Sequence, residues 1–194
     1  MITTNTEWLQ QILQANRDFC ARIDPDKITK QATACPYAII TCIDPRVNLE
    51  SVGIAPFSPD GQANSQVKVI RTAGAGAEYR SLLMGIHLAG FKEIAVILHT
   101  DCGISQAHQE IDTLIENMRK KLSPASFQEF QDSIGQPFRE NLLEWLGTFR
   151  DPRAAVRKQV RDIKDHPIAP ADLIAHGLLY EVSSGRVELI VTTN

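Results

Sequence analysis

The sequence predicts an α/β fold: a mostly parallel central β-sheet with an antiparallel C-terminal edge strand and helices on both faces. Three observations carry this. Short apolar runs alternate with amphipathic helical stretches along the chain, the order that builds a parallel sheet through crossover helices. The runs at 37–43 and 94–98 are almost continuously apolar, as strands covered on both faces are. Finally, residues 173–182 and 186–192 flank Ser183-Ser184-Gly185, a strand pair closed by a short turn. Right-handed crossovers put helices on both sides of such a sheet, and ligands collect at the carboxyl ends of its strands.

Taken in order, Trp8, Leu9, Ile12, Leu13, Phe19 and Ile23 share a helical spacing over 7–23. Thr4-x-x-Glu7 offers that helix a capping box, and Asp24-Pro25 ends it. The first strand covers 37–43, and the polar stretch 56–66, with its Gly and Pro, reads as a surface loop. A second strand at 67–70 stops at Arg71-Thr72-Ala73-Gly74-Ala75-Gly76. Apolar residues at 79, 82, 83 and 86 predict a helix that Gly90 terminates. After the strand at 94–98 and Cys102-Gly103, Ile111, Leu114, Ile115, Met118 and Leu122 mark another helix. The stretch 124–147 is helical in pieces, anchored by Leu142, Leu143, Trp145 and Leu146. Asp151-Pro152 joins a capping residue to a proline at the first helical position and opens a helix running to His166-Pro167.

Composition narrows the function classes. The chain has 194 residues, 20 Lys+Arg against 23 Asp+Glu, and a net charge of −3. That balance gives no basic footprint for nucleic acid or an anionic membrane surface. No apolar run approaches the roughly 18 residues that span a bilayer, and the N-terminus lacks a basic, apolar leader. The expectation is a cytoplasmic domain, free of nucleic-acid and membrane partners, that acts on a small molecule.

The four cysteines, Cys20, Cys35, Cys42 and Cys102, are too few for a disulfide scaffold in a chain of this length. Cys20 and Cys35 read as small packing residues. The other two keep different company. One strand ends in Cys42-Ile43-Asp44-Pro45-Arg46 and another in His99-Thr100-Asp101-Cys102-Gly103. In an extended segment, residues two apart face one side, so Cys42, Asp44 and Arg46 project together. Two thiols and one imidazole at neighbouring strand ends suit Zn²⁺, and three protein ligands leave a fourth position for water or substrate. Cys102 near a helix N-terminus has its thiolate favoured by the dipole. Asp101 reads equally as support for the ligands, as a cap, or as a solvated loop carboxylate.

Cys42-x-Asp44-x-Arg46 with His99-x-x-Cys102-Gly103 resembles the β-class carbonic anhydrases. Arg71-Thr72-Ala73-Gly74 is similar to that family's Arg-Asn-Ala-Gly strand end, and Tyr180-Glu181-Val182 with Ser184-Gly185 to its last hairpin. The resemblance implies Cys42, His99 and Cys102 as ligands of one Zn²⁺ per chain, with Asp44 and Arg46 as a catalytic dyad. It implies a Gly103 backbone N–H close to a substrate oxygen, and a homodimer or higher homo-oligomer with the N-terminal helix across a partner. The whole chain, 1–194, then reads as one α/β zinc-enzyme domain, with an N-terminal helical arm (1–35) and a helical insertion (123–150). Thr72 stands where the family has Asn. Arg80-Ser81-Leu82 and His99-Thr100-Asp101-Cys102-Gly103 look most like a minor branch that also hydrolyses carbonyl sulfide or carbon disulfide.

The expected activity is therefore carbonate dehydratase, a lyase: reversible hydration of CO₂ to bicarbonate by a metal-bound hydroxide. Two thiolates and one imidazole leave zinc formally neutral, so its water acidifies less than at a three-imidazole site and activity rises toward alkaline pH. Asp44 either orients the nucleophile or occupies the fourth position itself, and Arg46 is placed to hold it away. The nearest alternative keeps the site and takes COS or CS₂. An alternative of another class is a non-catalytic zinc sensor or assembly domain, against which Asp44 and Arg46 speak. His108 is a candidate proton relay. A dinucleotide motif fails because its third glycine would fall on Tyr79. A Cys-x₅-Arg phosphatase loop fails at Asn48.

Overall fold

A computed structural model describes residues 6–22, 35–54 and 67–193. Among the described residues five strands form one sheet in the order β2-β1-β3-β4-β5. They are β1 (Tyr37–Cys42), β2 (Val67–Thr72), β3 (Glu93–His99), β4 (Ile174–Tyr180) and β5 (Val187–Thr192). All neighbours are parallel except β4 and β5. The mostly parallel sheet with an antiparallel C-terminal edge is as the sequence predicts.

Alternation along the central strands explains why they lie inside. In β3, Ile94, Val96 and Leu98 turn toward one cluster, while Ile97 joins the other. The first cluster packs Leu82 and Ile86 of α2 (Tyr79–Met84, continued by a π turn over Gly85–Ala89). It also takes Val156, Val160 and Ile163 of α7 (Pro152–Asp165). The second gathers Ile39, Val47 and Leu49 with Ile104, at the start of α3 (Gly103–Gln109). A third core is confined to α4 (Ile111–Lys121), α5 (Pro124–Ile134) and α6 (Phe138–Trp145), where Ile111, Ile115, Phe127, Phe138 and Leu142 meet.

The described residues fall in two units, with α1 (Glu7–Cys20) in one and everything from Cys35 onward in the other. No residue of α1 is buried. Its cap is Thr6, whose hydroxyl accepts from the Leu9 N–H at 3.3 Å, and it stops at Cys20. The expected caps and stops at Thr4 and Asp24-Pro25, like the loop at 56–66, lie outside the described residues. Among the described residues no helix is long and apolar enough to cross a membrane.

Chain order places the site. From β1 the chain moves to β2 on one side, then returns through α2 to place β3 on the other side of β1. This reversal opens a crevice at the carboxyl ends of β1 and β3, the switch point where doubly wound sheets bind ligands. Cys42 ends β1 and His99 ends β3.

Candidate metal centre

Cys42, His99 and Cys102 are all buried, and their ligand atoms lie within 4.8 Å of one another. The two sulfurs are 4.0 Å apart. A disulfide holds them at ~2.0 Å, whereas two sulfurs on one tetrahedral zinc, each ~2.3 Å from it, sit ~3.8 Å apart. His99 Nδ1 donates to the Thr100 carbonyl at 2.8 Å. That bond fixes the tautomer and leaves Nε2 as a bare lone pair. Nε2 is buried and has no hydrogen-bond partner among the described residues, a costly state for a polar atom without a ligand. The donor set fits a thiophilic divalent ion.

Burial pushes the Cys102 thiol up to about 11, the adjacent Cys42 adding to the shift, while the N–H groups of Ile104 and Ser105 pull the other way. The helix start does favour the thiolate, as its position suggests, but it does not set the balance. Desolvation outweighs two N–H donors, and a bound cation would have to supply the difference.

Beside this set, Asp44 Oδ2 lies 4.0 Å from His99 Nε2. Arg46 grips its carboxylate with one edge of the guanidinium: Nε at 3.0 and 3.2 Å from the two oxygens, Nη2 at 2.7 Å from Oδ2. The Arg46 N–H adds a bond to Oδ1 at 2.9 Å. These bonds, the side-chain ones foremost, hold the Asp44 carboxyl far below the usual carboxylate range and push the Arg46 guanidinium up. The residues do not converge by strand alternation, as the spacing had implied. β1 ends at Cys42 and the chain then turns, Val47 N–H donating to the Asp44 carbonyl at 3.2 Å. Arg71 secures the turn by donating to the carbonyls of Cys42 (2.8 Å) and Val47 (3.0 Å).

A second clamp acts from the C-terminal hairpin. Thr100 N–H donates to the Tyr180 carbonyl at 2.9 Å, and its hydroxyl donates to Glu181 Oε1 at 2.8 Å while accepting from Val182 N–H. Thr100 supplies the carbonyl that orients His99, so the hairpin steers the imidazole through it. Arg71, Thr100 and Glu181 were not assigned roles from their spacing, because their partners are mostly backbone groups brought together only by the fold. Gly103 has no positive φ, and a Cβ built there meets nothing within 4 Å. Neither turn geometry nor packing demands glycine at 103. Gly74 differs: its φ is +64°, and a Cβ would press within 3.1 Å of Ile104.

His108, the candidate relay, makes its ring hydrogen bonds to residues outside the ligand set. Arg150 Nε donates to its Nε2 at 2.7 Å, and its Nδ1 faces Thr148 Oγ1 at 2.9 Å. Both ring nitrogens are spent tying α3 to the residues after α6. A cleft of about 710 Å³ near Thr100 is lined by Asp151, Arg153, Glu181, Arg186 and Glu188, with none of the three ligand candidates.

The family model for carbonic anhydrases matches residues 37–187, a span holding the whole thiol–imidazole set. The chain belongs to the β-carbonic anhydrase family. The Bacillus subtilis (strain 168) protein named "Putative carbonic anhydrase YtiB" is 29% identical over 190 residues, covering 94% of this chain and 96% of that protein. A carbon disulfide hydrolase of Acidianus sp. (strain A1-3) is also 29% identical, over 162 residues, covering 77% of this chain and 74% of its own. Among solved structures, the β-carbonic anhydrase isoform I of Trichomonas vaginalis superposes with a TM-score of 0.77 at 26% identity, over 97% of this chain and all of that one. The chain is thus a carbonic anhydrase-like enzyme whose family relatives include a CS₂ hydrolase.

Proposed function

We propose that this β-carbonic anhydrase family member interconverts CO₂ and bicarbonate, with one Zn²⁺ per chain held by Cys42, His99 and Cys102. The observation that carries the reading is the buried His99 Nε2, without a hydrogen-bond partner among the described residues and within 4.8 Å of two thiols. An ion bound there would supply Lewis acidity and make water a nucleophile at moderate pH. Asp44, kept ionised by Arg46, can only accept hydrogen bonds. It takes one from the attacking water and turns that water's lone pair toward the substrate carbon. Arg46 keeps the carboxylate in this role. The Gly103 N–H opens α3 without an intrahelical acceptor, beside open space, and is assigned to a substrate oxygen.

We further propose a cytoplasmic homodimer or larger homo-oligomer, organised as one domain per chain with an N-terminal arm and a helical insertion at 123–150. Free buried thiols suit a reducing compartment. Val69 on edge strand β2, Leu83, Met84 and Leu88 are exposed apolar residues, and large apolar surface of this kind marks contact with another chain.

COS or CS₂ hydrolysis is the second reading, favoured by equal identity to relatives of both kinds. Fuller coverage by the carbonic anhydrase relative supports taking CO₂ as the first reading. Parallel assays of CO₂ hydration and of sulfide release from COS and CS₂, on protein of measured zinc content, test both. The expected result is one zinc per chain and CO₂ hydration as the faster reaction. Faster sulfide release would transfer the site to the second substrate class, and stoichiometric zinc without any turnover would make it a binding domain.

A further inference from the structure

We propose that Asp101 is a positioning residue: it anchors the far edge of Arg46 and so keeps the Asp44 carboxylate off the metal position. The inference rests on the metal reading above and adds to it a residue outside the Asp44–Arg46 pair. Arg46 is half exposed and sits only two residues from Asp44, so by itself that pair would swing as a unit. Its guanidinium has a second attachment. Nη1 donates to Asp101 Oδ2 at 2.7 Å and Nη2 to the Asp101 carbonyl at 2.9 Å, while the Nε–Nη2 edge is given to Asp44. The two carboxylates thus use different donors of one rigid fork, Nη1 for Asp101 and the Nε–Nη2 edge for Asp44, and do not compete for the same N–H.

Asp101 is itself fixed. Its backbone has φ +55°, it lies in the short connection between His99 and Cys102, and Gln106 Nε2 donates to its Oδ1 at 2.9 Å. The line Gln106–Asp101–Arg46–Asp44 therefore refers the Asp44 carboxylate to the same loop that carries two of the ligands. Asp44 Oδ2 is already 4.0 Å from His99 Nε2, so a small swing of an unanchored pair would bring a carboxylate oxygen into the ligand set.

Asp101→Asn tests this, because asparagine tolerates a positive φ and keeps the shape while removing the charge that holds Nη1. The protein is loaded with cobalt and titrated with thiocyanate, a small linear anion that competes for the open coordination position, read by visible absorption. Asp101→Asn should weaken thiocyanate binding about fivefold, the upper end for an ion pair of this exposure, by letting Asp44 compete. In an Asp44→Asn background the same change should have no effect, because no competing carboxylate remains. Unchanged or tighter binding in Asp101→Asn, or equal weakening in both backgrounds, overturns the inference. Failure of wild-type protein to hold one metal per chain would remove the metal reading, and this inference with it. Loaded protein indifferent to Asp101 removes the inference alone.

Discussion

A single thiol decides how the proposed metal site responds to pH. Burial raises the Cys102 thiol to about 11, so at pH 6–9 the metal-free protein carries that proton and an incoming ion must displace it. Each unit of falling pH then costs at least tenfold in apparent affinity, one proton being released per ion through Cys102 alone. Calorimetric titration of the metal-free protein with zinc, in buffers of different ionisation enthalpy, should register release of at least one proton per ion near pH 7. Release of none would remove Cys102 from the ligand set. The residue types at this site were legible in the sequence, since sulfur and imidazole at two strand ends have few other uses. The sign of the Cys102 shift was not, because a helix start and a desolvated pocket push a thiol in opposite directions. Which prevails depends on how deeply the fold buries the sulfur.

Elements were legible where periodicity and punctuation agreed. Strand β3 and helix α7 fall within a residue or two of expectation, and Gly90 ends its helix with φ +85°. The break at Glu110 between α3 and α4 carries no proline or glycine, so nothing in the pattern announced α3 as a separate helix. Helix α2 has a side-chain cap at Glu78, a residue type less usual there than Ser, Thr, Asp or Asn. Glu78 accepts from the Ser81 hydroxyl at 2.5 Å, the Ser81 N–H at 2.8 Å and the Arg80 N–H at 3.3 Å. The Ser81 bonds foremost hold its carboxyl at about 2, below the ordinary 4.5. A depressed carboxyl contributes stability that is complete above its unfolded value and lost as pH falls toward the folded one. Glu78→Ala should therefore lower Tm by a few degrees at pH 7, and the gap to wild type should shrink as pH falls from 4.5 toward 2. A gap independent of pH over that range would mean that charge plays no part in the cap.

For the molecule as a whole, the order β2-β1-β3-β4-β5 explains why residues separated by some 60 positions can share one ion. The reversal at β1 sets the end of β1 against the end of β3, and parallel pairing in register brings both to the same side of the sheet. Alternation of strands and helices was enough to predict the sheet. Which strands become neighbours was not readable from periodicity, which orders elements along the chain and not across the sheet. The family resemblance assigns α1 to a partner subunit, and its surface gives that assignment physical content. Trp8 is 72% exposed, and Leu9, Ile12, Leu13 and Phe19 are exposed with it. An amphipathic helix with no buried residue gains little from its own apolar face unless another surface covers it. If the proposed homo-oligomer forms through α1, removal of residues 1–22 should reduce it to a smaller species by sedimentation velocity. Metal content should stay at one per chain, since every ligand candidate lies between 42 and 102. An assembly of unchanged size would leave the exposed β2 edge and the Leu83–Met84–Leu88 surface to hold the subunits together. Loss of metal on truncation would instead mean that the arm supports the site and not only the contact between chains.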